Sequence, residues 1–180
     1  MKPVCLVLGA GAGIGGTVAA KFASEGYHSC LCRRSDQEGL DRLVKGIEDE
    51  GGSANGYLIN AIEDNVIEDL INTIESDVGP IEVVVYNLGA QTGMKLLKDT
   101  THKEFEWGWR MASLGLFRVA KVLCPIMKER GKGAILVTSA TAAMRGNATQ
   151  HSHAAAMGAR RMLCQSLNAE FSASGIHVAH

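Results

Sequence analysis

The stretch Val4-Cys5-Leu6-Val7-Leu8-Gly9-Ala10-Gly11-Ala12-Gly13-Ile14-Gly15-Gly16 carries the reading of the whole chain, because an apolar, partly β-branched run stops abruptly in glycines. A buried strand followed by a tight turn has that pattern. Glycine is used where the backbone must take positive φ or lie against a ligand with no Cβ between. Residues 17–26 then place Val18 and Phe22 at helical spacing. The glycines therefore open a helix whose unpaired N–H groups suit an anion, a diphosphate above all. Two registers fit: Gly11, Gly13 and Gly16 as GxGxxG, and Gly9, Gly13 and Gly15 as GxxxGxG, the second beginning directly after Leu8. A structural turn with no ligand has the same signature.

Outward from this loop the chain alternates. A second strand is expected over 27–32, and an amphipathic helix over 37–50 with Leu40, Leu43, Val44 and Ile47 on one face. A third strand over 57–59, a helix over 66–74 and a fourth strand over 81–86 (IEVVVY) follow, punctuated by Gly51-Gly52 and Gly79-Pro80. The unbroken apolar character of 81–86 belongs to a parallel strand covered on both faces. A longer helical tract is expected over 103–130, with Pro125 a kink or boundary near its end. A fifth strand over 134–138, a helix over 153–171 and the start of a sixth strand over 176–178 complete the chain. Strands alternating with helices at this spacing predict an α/β fold: a doubly wound parallel sheet of about six strands with helices on both faces, one domain over residues 1–180.

Composition narrows the functional classes. The 180 residues are 46% hydrophobic with a formal net charge of −1. A chain of this length buries about 70% of its unfolded surface, and it has no basic run for nucleic acid or an anionic membrane surface. The apolar stretch near the N-terminus reads as a strand rather than a targeting segment, since a glycine loop and a helix follow it, and a cytoplasmic protein is expected. Five cysteines (Cys5, Cys30, Cys32, Cys124, Cys164), an odd number without a CxxC pair, predict small buried side chains rather than a disulfide framework or a zinc site. His151 and His153, joined by His177 or His180, would be the candidate metal ligands. Two residues apart on a helix they point about 200° apart and cannot hold one ion as an i, i+4 pair does, so no metal is expected.

Further landmarks appear in order: Asn60-Ala61 after the third strand, Asn87-Leu88-Gly89-Ala90 after the fourth, Ser139 after the fifth, and the tail 165–171 (QSLNAEF) leading to 175–178 (GIHV). With the GxxxGxG loop, this set resembles the short-chain dehydrogenase/reductase family over essentially the whole chain. The resemblance implies a Rossmann fold that holds a nicotinamide dinucleotide. Its cofactor-binding residues would be Gly9, Gly11, Gly13, Ile14 and Gly15 in the loop, Asn60 (an Asp in most of the family) and Ala61 near the adenine, and Asn87 and Gly89. It also implies a homodimer paired through helices over 112–122 and 154–171, which carry small and apolar residues on more than one face. An acidic residue at the end of the second strand would accept hydrogen bonds from the adenosine ribose and repel a 2′-phosphate. This chain has Arg33 and Arg34 there, followed by the Ser35 hydroxyl. Arginine's planar fork suits phosphate, so NADP(H) is preferred, while Asp36 keeps NAD(H) possible; arginines merely solvated at a loop would read the same way.

In the resembling family a Tyr and a Lys, four apart on the helix after the serine, protonate and orient the substrate oxygen, and an Asn on the preceding long helix holds a relay water. Aligning 151–167 (HSHAAAMGARRMLCQSL) puts His153 at the Tyr position and Met157 at the Lys position, and aligning 109–117 (WRMASLGLF) puts Ala112 at the Asn position. None of Tyr27, Tyr57 and Tyr86 is followed four residues later by lysine, which leaves Ser139 as the one matching member. Family members continue through a substrate-covering segment and a seventh strand, whereas residue 180 falls within or just after the sixth. Three readings follow. The first is a nucleotide-binding pseudoenzyme. The second is an NAD(P)-dependent oxidoreductase of an unknown small carbonyl or alcohol, with His153 giving the proton, as imidazole can near neutrality, and Ser139 orienting the carbonyl. The third is a structural subunit or truncated product that binds no nucleotide.

Overall fold

The computed structural model describes residues 1–89 and 93–180. Its strands are β1 (Val4–Leu8), β2 (His28–Arg33), β3 (Ser53–Leu58), β4 (Ile81–Tyr86), β5 (Gly133–Val137) and β6 (Ile176–Ala179), paired in parallel in the order β3-β2-β1-β4-β5-β6. Between them lie α1 (Ile14–Ser24), α2 (Gln37–Asp49), α3 (Val66–Asp77), α4 (His102–Trp109), α5 (Gly115–Arg130) and α6 (His151–Phe171). This is the doubly wound α/β sheet that the alternating pattern predicts.

The sheet has two cores, and β1 explains why. All five of its residues are buried, and because side chains alternate along a strand they divide between faces. Val4, Leu6 and Leu8 pack with Ile67, Ile71 and Ile74 of α3 and Leu116, Leu123 and Met127 of α5. Cys5 and Val7 pack with Ala19 and Ala23 of α1 and Leu40 and Ile47 of α2. All five cysteines are free and buried. The chain winds outward from β1 to β3 and then returns to β4 beside β1, so the order reverses between β1 and β4. Ligands of such sheets sit at that reversal, beyond the carboxyl ends of the strands.

Several boundaries move for physical reasons. Helix α1 begins at Ile14 rather than 17, so Gly15 and Gly16 lie inside it. Strand β3 begins at Ser53, four residues before the apolar 57–59, because Ser53 to Leu58 pair residue for residue with His28 to Arg33. The pairing, not apolar character, makes it a strand. The tract expected as one helix over 103–130 contains a π-helical segment, Arg110–Leu114, between α4 and α5. Pro125 forms no boundary: α5 runs through it to Arg130 and ends where Gly131 turns to φ +69°. No helix among the described residues is long and apolar enough to cross a membrane.

Candidate functional site

The glycine loop leaves β1 at the reversal. Gly9 has φ +97°, and a Cβ on it would lie 2.7 Å from the Asn87 carbonyl oxygen. Gly15, in the first turn of α1, faces the Gly9 carbonyl oxygen too closely for any Cβ. These two let β1, the end of β4 and α1 approach one another. Gly11 and Gly13 have nothing within 4 Å of a Cβ position and present bare backbone outward. Gly13 caps α1 with no side-chain acceptor, and no acidic residue occupies the first turn. The Gly16 N–H donates back to the Gly11 carbonyl at 2.8 Å, which leaves the N–H groups of Ile14 and Gly15 for an outside anion, as the unpaired donors of a helix start are. The loop is pinned on both sides: Gly9 and Ala10 N–H donate to the Cys32 carbonyl at 2.9 and 2.8 Å, and Asn87 Nδ2 donates to the Gly9 carbonyl at 2.9 Å. Gly89 is exposed with open space around it, and Ala90 lies outside the described residues.

One cleft lies on the β2–β3 side of this loop, lined by Gly9, Arg33, Arg34, Asn60, Ala61 and Leu88 among others. Its two arginines are not equivalent. Arg33 pairs with Asp36 at 3.0 Å, and Asp36, at φ +70°, caps α2 by accepting from the Gly39 N–H at 2.9 Å. Arg33 is thus committed to the α2 cap, and Asp36 to Arg33. Arg34 is exposed and joins no ion pair among the described residues. Asn60 donates to Glu63 at 2.9 Å. The turn carrying Asn60 and Ala61 is fixed by Arg118, whose Nη1 donates to the Ala61 and Glu63 carbonyls at 3.3 and 2.9 Å. Arg118 also holds Glu68 through two bonds of 2.8 and 2.5 Å, and those bonds keep the Glu68 carboxyl below its usual range.

A second, apolar groove lies on the β4–β6 side, lined by Ile14, Val18, Leu136, Thr138 and Ala179. Ile14 is 64% exposed in it. The loop thus stands between a cleft at the carboxyl ends of β2 and β3 and an apolar groove on the α1 face of β4 to β6.

The residues aligned with catalysis come out differently. Ser139 follows β5 and is exposed; His153 is half-buried near the start of α6. The Nδ1 of His153 is buried without a hydrogen-bond partner, and no hydrogen bond among the described residues joins the ring to Ser139. Ala112 (0% exposed) and Met157 (3%) pack with Ala142 and Ala156 in a third small cluster, ringed by Met111, Ala140, Ala143 and Ala154. At the positions where the resemblance places an ammonium and a water-holding amide, this chain packs methyl groups and a thioether.

Arg160 was not singled out from sequence, yet it is the side chain that ties this region together. It is 2% exposed and shares the α6 face of His153 and Met157, at i+7 and i+3. Its Nε donates to the Ala112 carbonyl at 3.0 Å, Nη1 to that of Thr138 at 3.1 Å and Nη2 to that of Leu88 at 2.7 Å. The guanidinium lies over the Tyr86 ring, 5.1 Å from its centroid, and Tyr86 Oη donates to the Met111 carbonyl at 2.5 Å. Both Met111 and Ala112 belong to the π-helical segment, a departure from the α ladder that recurs at functional sites. Burial lowers the Arg160 pKa and raises that of Tyr86. The available sequence signal was a basic residue on an otherwise small and apolar helix face.

Residues 3–180 match the family model described as short chain dehydrogenase. A 3-oxoacyl-[acyl-carrier-protein] reductase of Thermotoga maritima is 30% identical over 154 residues, 84% of this chain and 61% of that protein. This chain thus spans less than two thirds of that relative's length. Among solved structures, a short-chain dehydrogenase from Rhodopseudomonas palustris superposes with a TM-score of 0.93 at 32% identity, covering 99% of this chain and 82% of the other. A gluconate 5-dehydrogenase from Burkholderia cenocepacia, in complex with NADP and tartrate, superposes with a TM-score of 0.88 at 27% identity over 98% of this chain and 70% of the other.

Proposed function

Because the chain belongs to the short-chain dehydrogenase family, we propose that residues 1–180 form one unit that binds a nicotinamide dinucleotide, NADP(H) in preference to NAD(H), and that its catalytic centre is impaired. One observation carries this reading: Ala112 and Met157 close into an apolar cluster, while the glycine loop keeps open backbone at Gly11 and Gly13. The residues present fit the cofactor. Gly11 and Gly13 leave room where a side chain would block a diphosphate, and the start of α1 offers N–H donors to it. Arg34 is free to meet a 2′-phosphate while Asp36, turned to Arg33, does not repel it. Similar solved structures hold NADP in one case and NAD+ in another, so the choice rests on Arg34 and Asp36. Asn60, Ala61, Asn87 and Gly89 shape the walls, and Ile14 offers an apolar surface to the second half.

When bound, the dinucleotide supplies a transferable hydride. Reduction of a carbonyl also needs a proton and nearby positive charge for the developing oxyanion. Ser139 can donate a hydrogen bond to that oxygen. Met157 has no charge and no donor, and Ala112 cannot hold a water through its side chain. A general acid must be held in place, and the unpartnered Nδ1 of His153 leaves the ring without the second hydrogen bond that fixes its orientation and tautomer. The reading as an active oxidoreductase through Ser139 and His153 therefore ranks second. The protein acts as a homodimer in this account: Phe117, 46% exposed, lies with Leu167 and Phe171 along a groove between α5 and α6, apolar surface that a second copy would cover. The five free cysteines fit a cytoplasmic setting.

Calorimetric titration with NADPH tests the reading. Saturable binding at one site per chain is expected, and absence of binding at millimolar cofactor would leave the structural-subunit reading instead.

A further inference from the structure

We propose that Arg160 makes this site select the reduced dinucleotide over the oxidised one, by fixing a positive charge that no carboxylate neutralises at the carboxyl ends of β4 and β5. The inference rests on the cofactor reading above and deepens it.

The charge is real and uncompensated. Arg160 is 2% exposed, and its partners are three backbone carbonyls, those of Leu88, Ala112 and Thr138, together with the face of Tyr86. It joins no ion pair among the described residues. The titratable groups that bear on it are the Tyr86 phenol and the Cys164 thiol. Burial raises both, Cys164 to about 11, so both are neutral at pH 7. Carbonyl dipoles and an aromatic face reduce the field of a guanidinium without cancelling it.

Its position falls to the second half of the ligand. The cleft with Arg33, Arg34, Asn60 and Ala61 takes the adenosine half, and the glycine loop takes the diphosphate. The remaining half is left with the β4–β5 side. Of the carbonyls Arg160 holds, that of Leu88 lies two residues past β4 and that of Thr138 directly follows β5, so the guanidinium sits at the carboxyl ends of those two strands. The nicotinamide ring carries a positive charge when oxidised and none when reduced, while the rest of the dinucleotide is unchanged. A fixed cation therefore acts on the difference between the two forms. With an effective dielectric of about 20, a unit charge on the order of 10 Å away would change their relative affinity roughly tenfold. A neutral donor could have met some of the same carbonyls at lower desolvation cost, so satisfying them does not by itself account for the charge.

The test is calorimetry at pH 7 on the full chain and on Arg160→Gln and Arg160→Lys, each titrated with NADPH, NADP⁺ and adenosine 2′,5′-diphosphate, which lacks the nicotinamide. The wild type is expected to bind NADPH roughly tenfold tighter than NADP⁺. Arg160→Gln should bring that ratio below about threefold while leaving adenosine 2′,5′-diphosphate affinity unchanged, and Arg160→Lys should retain the ratio. A protein weakened only by loss of packing would lose all three ligands together. If Arg160→Gln does not fold, the wild-type ratio is measured at low and high salt; a buried charge is little screened, so a ratio that persists supports the proposal and one that vanishes overturns it. Equal affinity for NADPH and NADP⁺ in the wild type, or a ratio untouched in Arg160→Gln, also overturns it and leaves the cofactor reading standing. Failure of all three ligands to bind removes the cofactor reading, and the proposal with it.

Discussion

Two neighbouring arginines read alike in sequence but do different work in the structure. Arg33 is paired with Asp36 at 3.0 Å, whereas Arg34 is exposed and unpaired among the described residues. A charge-assisted hydrogen bond is worth about 1.5–3 kcal/mol, which is roughly tenfold or more in affinity. Arg34→Ala should therefore weaken NADPH by that factor and leave NADH unchanged in calorimetry. Arg33→Ala should lower the melting temperature by freeing Asp36 from its cap, with a smaller effect on cofactor preference; the reverse assignment of losses would contradict this division. Glu104 offers a second test. It closes a capping box with Thr101 at the start of α4 and pairs with Lys95. The Lys95 bond first, and then the Thr101 bonds, hold its carboxyl down at about 2 against an ordinary 4.5. Because the folded value is depressed, this support is complete above about 4.5 and is lost as pH falls toward about 2. The only two tryptophans, Trp107 and Trp109, both lie on α4. Tryptophan fluorescence should change across that window in the wild type, and Glu104→Gln should already be shifted at pH 7. A Glu104→Gln profile identical to the wild type would remove the box from the account.

At the scale of elements, the loop after β1 is where local chemistry and topology meet. A Cβ on Gly15 would run into the Gly9 carbonyl, and that clash cannot be relieved by a side-chain rotation because both groups are backbone. Gly15→Ala should cost about 1–3 kcal/mol, the usual range for overpacking, and lower Tm by several degrees together with NADPH affinity. Gly11→Ala, with nothing within 4 Å of its Cβ position, should keep Tm and lose affinity alone. Equal melting temperatures for the two variants would show that the loop is not packed as described. The strand and glycines of this element were legible because one apolar run must serve two buried faces, and its punctuation is local. Strand β3 was half legible, since Ser53 to Gly56 are made a strand by pairing with β2 rather than by their own pattern. The π-helical segment at Arg110–Leu114 was invisible because it shifts helical phase by a single residue. The boundary reading of Pro125 fails for a related reason: proline removes one hydrogen bond from a helix whose buried face, Leu116, Val119, Leu123 and Met127, holds it together regardless.

At the scale of the molecule, the family resemblance aligns His153, Met157 and Ala112 with the relay positions, because each lies in a recognisable local frame. It could not disclose Arg160, whose role depends on carbonyls 72, 48 and 22 residues away. Nor could it say that Ala112 and Met157 would meet in a closed cluster, a property of packing rather than spacing. Assembly belongs to this scale as well. With Phe117 exposed beside Leu167 and Phe171, light scattering at micromolar concentration should find a dimer, and Phe117→Glu should shift it to monomer; a wild-type monomer would count against that surface. The proposed dinucleotide site with a disabled proton relay is tested by the rate of NADPH oxidation, at cofactor concentrations where binding is saturated, against a panel of small ketones and aldehydes. Turnover is expected at least about a hundredfold below the ordinary enzyme range, consistent with loss of a positioned general acid. Oxidation at about 1 s⁻¹ or faster, abolished by His153→Ala, would contradict it and make His153 the working acid.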